Sequence, residues 1–157
     1  MNTSIRSLYL FGDGFCRNKL AALGIKMLFG GVTYGLLEVM WRGYTHPSMV
    51  IAGGLCFAMM LAIDRYLTAV PLILKSALCA FGITAVEFGI GMLVNRLWHM
   101  EVWDYSDEWL HLFGQICPLY SCLWFFISFC ILVFLSAGKY IGALMPNGNL
   151  PRLRSRS

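Results

Sequence analysis

The chain has 157 residues, of which 59% are hydrophobic and 13% charged, about half the charged share usual in a water-soluble domain. This excludes an ordinary soluble globule and places the chain in lipid, with length for one membrane domain. The net charge of +4 is no nucleic-acid footprint, because the basic residues flank apolar segments rather than lining a polar face.

Residues 1–19 read as a cytoplasmic segment in which Asp13, Arg17 and Lys19 interrupt any apolar stretch, so no cleavable signal peptide is expected. Four apolar runs follow, at 20–41, 48–66, 70–94 and 114–137. Each approaches the roughly 20 residues with which a helix crosses the hydrocarbon core. The expected fold is all-α: a four-helix integral membrane bundle over 20–137, with a long loop at 95–113 and a basic tail at 138–157. Pro47 and Ser48 open the second run, whose short core, Met49 to Ile63, leans on a snorkelling Arg65 and on Tyr66. Asp64 and Arg65 sit at a tight turn, after which Thr68 reads as an N-cap and Pro71 as a first-turn proline.

Four spans put the N-terminal segment, the tight turn and the tail on one side. That side holds ten of the twelve Lys and Arg; the other has Arg42 and Arg96. This bias predicts that both termini are cytoplasmic, in a cell-membrane protein that is an inner-membrane one if the source is bacterial. The segment "VWDYSDEW", Val102 to Trp109, then lies in the outer loop. Trp98, Trp103, Tyr105 and Trp109 read as an interfacial belt, and Asp104 or Ser106 as the cap of a short turn. The tail "LPRLRSRS" reads as a topology anchor beside an anionic leaflet.

Glu38 and Glu87 are the residues hardest to explain as packing, since an ionisable group within a span costs at least about 2.5 kcal/mol and is normally paired or turned to the bundle interior. They lie in the first and third runs as "YGLLEV" and "ITAVEF", a likeness too brief to establish a repeat. Arg42 stands one turn beyond Glu38, in the favourable order for an i, i+4 pair. Glu87 has no base one turn away, and Gly91 and Asn95 continue its face, as if another helix approached there. The expected polar cluster is Glu38, Arg42, Glu87, Asn95, Asp104 and Gln115, with Asp104 reaching in to an Arg if the loop folds inward. Such a cluster serves either as an interhelical clasp or as a proton, ion or substrate site.

His46, His99 and His111 fall in outer loops without the spacing of a helical zinc pair, and the six Cys form no disulfide framework or zinc pattern. No metal or cofactor is expected. Nucleotide-binding, dinucleotide-binding, nucleophile-elbow and HExxH motifs are absent, so any ATP is handled by another chain.

Val86 to Trp124 resembles the ABC-transporter type IV, or CmpB-like, family of small four-helix membrane proteins, which includes a vertebrate branch. The resemblance rests on Glu87 with its following Gly residues, on Trp103, Asp104, Tyr105 and Ser106, on Gly114, Ile116 and Cys117, and on Trp124. "GLLEV" and "RGYTHPSM" match more loosely, His111 stands where many members have Asn, and the segment after Arg42 is shorter than in others. The resemblance implies a permease-like or accessory membrane subunit of a transport system, and a fold likeness alone supplies no substrate. The expected partners are membrane lipid and a second copy or another membrane subunit, with a separate ATPase and without nucleic acid. The alternative is an intramembrane enzyme acting on a lipid or lipid-linked group at the outer leaflet, with Glu87 or Asp104 as general base. No nucleophile or oxyanion donors complete that site, so a non-enzymatic role is favoured.

Overall fold

A computed structural model of the chain describes residues 19–144. The N-terminal segment before Lys19 and the tail after Leu144, including "LPRLRSRS", lie outside the described residues. Four helices account for most of the rest: α1 (Lys19–Arg42), α2 (Pro47–Tyr66), α3 (Leu72–Gly91) and α4 (Pro118–Leu144). Each is long and apolar enough to cross a membrane. Large apolar side chains such as Phe29, Leu36, Phe81, Phe126 and Phe134 are exposed on their outer faces, as befits helices whose solvent is lipid. The chain is a multi-pass membrane protein built as an all-α bundle.

Three boundaries depart from the sequence reading. Helix α4 begins at Pro118 rather than Gly114, because Leu110, Phe113 and Gly114 all have positive φ and the chain enters a helix only at Pro118. At its other end α4 continues through Lys139 and Tyr140, which dilute the apolar run without breaking a helix. Thr68 is not the cap of α3: Pro71, with φ −56° and ψ 147°, holds that position and Leu72 is the first helical residue. The second span is capped instead by His46, whose Nδ1 accepts from the Ser48 backbone N–H at 3.2 Å.

Successive helices pack side by side, α1 on α2, α2 on α3 and α3 on α4. The first contact depends on two glycines. A Cβ on Gly31 would run into the Val50 carbonyl, and one on Gly54 into the Met27 carbonyl, so neither residue tolerates a side chain without the backbones parting. Met60, Cys79, Ile83 and Leu132 form the core shared by α2, α3 and α4. Helices α1 and α4, the two ends of the row, do not pack closely along their backbones, although the Tyr34 and Trp124 rings lie 5.9 Å apart across the gap. The row is therefore open on one side.

Candidate functional site

Beyond Gly91 the third span widens into a π-helical turn, Met92–Leu97, in which the Trp98 N–H reaches back five residues to the Leu93 carbonyl at 3.1 Å. This turn carries Asn95, 9% exposed, against the returning loop. The Asn95 Oδ1 accepts from the Val102 N–H at 2.8 Å, and its Nδ2 donates to the Trp103 carbonyl at 2.8 Å and to Gln115 Oε1 at 2.7 Å. The Trp103 indole N–H donates to the Gln115 carbonyl at 3.1 Å, and Gln115 Nε2 to the Phe113 carbonyl at 3.1 Å. One buried amide pair thus ties both strands of the loop to α3. What approaches Gly91 is this loop and not another helix: Gln115 Oε1 and the Trp103 ring occupy the space a Cβ would need.

The Trp103-Asp104-Tyr105-Ser106 segment divides its side chains between two sides. Trp103 is buried, packed with Met49, Val94 and Val102, so it belongs to the core rather than to the expected interfacial belt. Trp98 and Trp109 are exposed, as a belt requires. Asp104 is also exposed, its Oδ1 accepting from the Ser106 hydroxyl at 2.6 Å and the Ser106 N–H at 2.9 Å. These bonds hold its carboxyl below the usual aspartate range. The inward reach of Asp104 to an Arg is therefore not seen: its carboxylate is tethered to the hydroxyl and N–H of Ser106, next to Gly114. Tyr105 points to the bundle and stacks on Tyr120 of α4 with ring centroids 4.4 Å apart. Burial, then the charge of Glu87, pushes the Tyr105 hydroxyl well above the usual tyrosine range.

Glu38 is 7% exposed at the last turn of α1 and is shared between Arg42 and the Thr45 hydroxyl. Arg42 also donates to the Val102 carbonyl at 3.2 Å and lies over the Tyr44 ring. The pair thus seals α1 to the start of α2 and to the loop. Glu87, 6% exposed, is placed differently: its Oε2 accepts from the Trp124 indole N–H at 2.8 Å, and among the described residues no cation lies within ion-pair distance.

Of the six residues expected to cluster, Asn95 and Gln115 bond directly, Glu38 and Arg42 pair separately, Glu87 joins Trp124, and Asp104 stands outside. Glu38, Arg42 and Glu87 meet at a common space. Between α1 and α4 lies a cavity of about 530 Å³, also lined by Tyr34, Tyr105, Tyr120 and Trp124, with α2 and α3 as its floor. Apart from these groups and Thr33 its walls are mostly apolar, with Leu37 and Leu123 exposed on either wall. Among the described residues no three His, Cys, Asp or Glu side chains converge as metal ligands.

A second ionic cluster, at the opposite end of the bundle, was missed by sequence reasoning. Asp64 is 2% exposed, with Lys139 Nζ at 2.7 Å and Lys75 Nζ at 3.8 Å, and it ties α2, α3 and α4 together. The available signal was an acid in the last turn of α2 facing a base one turn into α3.

A family model described as "Putative ABC-transporter type IV" matches residues 32–145, which takes in the end of α1 with Glu38, all of α2 and α3, the loop and α4. No curated protein and no solved structure matches the chain.

Proposed function

The chain belongs to the ABC-transporter type IV (CmpB-like) family, and from that premise we propose that it is a non-enzymatic, permease-like membrane subunit that receives its cargo from the lipid phase through the gap between α1 and α4. The observation that carries this reading is the open side of the helix row, where a cavity of about 530 Å³ carries a carboxylate, Glu87, bonded to one indole. Polar groups inside a span mark a pathway or a binding site more often than a fold requirement. No nucleotide-binding motif is present in the sequence, so energy from ATP comes from a separate ATPase chain. The excess of Lys and Arg at the opposite end supports an orientation with the Asn95–Gln115 end outside. An impermeant thiol reagent should then label Asp107→Cys in intact cells, and labelling only after lysis would invert the orientation.

A comparison of membranes from cells with and without the chain tests the role. A transport subunit leaves the set of lipid species unchanged and alters their distribution between leaflets or compartments. Loss or gain of a covalent lipid species on deletion would overturn this reading in favour of an enzyme.

A further inference from the structure

We propose that the cavity between α1 and α4 binds a membrane amphiphile with an ammonium headgroup, the head lodged against Glu87 and the surrounding rings and the chain lying along the apolar walls. This identifies a cargo class and rests on the transport reading above.

Charge is the first argument. Two acids and one base face the cavity, and Arg42 is engaged by Glu38 and the Val102 carbonyl. Glu87 is left with the Trp124 N–H, so the space carries one carboxylate without a described cation. Within a membrane that group calls for a proton or a counter-cation, and the cavity is large enough for the cation to arrive on an amphiphile.

The walls are the second argument. Tyr34, Tyr105, Tyr120 and Trp124 line the same cavity as the carboxylate, Trp124 bonded to it, and the Trp124 and Tyr34 rings lie 5.9 Å apart. Aromatic rings around an anionic group are the chemistry that holds alkylated ammonium ions, through the attraction of a cation to ring faces in a site shielded from water. A phosphate or carboxylate head would find no free base there, since Arg42 is already paired. Beside an uncharged head Glu87 would hold a proton instead of a counter-cation, and the surrounding rings would have no charge to attract. The cavity lies on the side of the row where α1 and α4 do not pack closely, bridged by the Tyr34 and Trp124 rings, so entry from the bilayer requires those two side chains to part.

Binding is tested on the full chain in nanodiscs of an uncharged glycolipid, titrated with a brominated alkyl-trimethylammonium probe while tryptophan fluorescence is followed. The same brominated chain with a maltoside head serves as the comparison. Saturable quenching by the ammonium probe is expected, with affinity at least about tenfold lower for the maltoside and for Glu87→Gln. Leu123→Phe, at an exposed position on the wall, should weaken the ammonium probe while leaving helical content by circular dichroism unchanged. Equal binding of the two probes, or wild-type affinity in a folded Glu87→Gln, would overturn the proposal. Ammonium-selective binding together with altered lipid species on deletion would keep the site and remove the transport reading.

Discussion

Asn95 and Gln115 share a hydrogen bond of 2.7 Å across the loop end of the bundle, and through it one asparagine satisfies the backbone of Val102 and Trp103 as well as the Gln115 side chain. Replacing Asn95 with Leu strands three buried polar groups, each of which costs about 1–3 kcal/mol when left unpaired. Partial access of water to the loop should reduce the sum, to about 2–4 kcal/mol. The expected result is an earlier thermal unfolding in detergent, preceded by faster proteolysis within 98–117. Unchanged proteolysis would show that the loop is held by something else.

Arg42→Gln and Glu87→Gln should differ in stability. The first leaves Glu38 buried without its cation and frees the Val102 carbonyl; a broken buried pair costs about 3–5 kcal/mol, and the partial exposure of Arg42 reduces this to about 1–3 kcal/mol. The second retains an acceptor for Trp124 and should lie within about 1 kcal/mol of wild type. Adding Glu38→Gln to Arg42→Gln should restore part of the loss, because the stranded charge is gone. Thermal unfolding of the four proteins measures all of this, and an Arg42→Gln protein as stable as wild type would contradict the pairing.

Protonation of Asp104 should loosen the loop. Its folded-state carboxyl lies below the ordinary value of 3.8 because it accepts two bonds from Ser106. A depressed acid contributes stability that is present above its unfolded pKa and lost as pH falls through the folded one. Protease protection of the loop should therefore be full at neutral pH and decline below about pH 4. Asp104→Asn should be less protected at neutral pH and show a flatter acid response. The effect is small, since the carboxylate is exposed and screened.

The four spans were legible because apolar runs of membrane length have few other uses, and the Glu38–Arg42 pair because helical spacing alone brings i and i+4 together. The start of α4 was not, because Leu110 and Phe113 take left-handed conformations that nothing in their side chains announces. In the loop motif the turn at Asp104 and Ser106 was legible, and the inward places of Trp103 and Tyr105 were not. The conditional inward reach of Asp104 fails because its short side chain is satisfied two residues on, and it is the bulk of Trp103 that fills the core. Asp64 was hidden because a base 75 residues away, Lys139, faces it only once α4 is folded beside α2 and α3. The cavity was equally illegible, since it arises from two helices that do not pack closely along their backbones.

Photo-crosslinking from that cavity tests the central claim most directly. A benzoylphenylalanine is placed at Leu123, on the wall of the cavity, or at Phe134, an exposed position on α4 outside it, and the adducts formed in native membranes are identified by mass. The account predicts lipid adducts at Leu123 enriched in ammonium-headed species relative to Phe134. The same lipid mixture at both positions, or only protein adducts at Leu123, would contradict it.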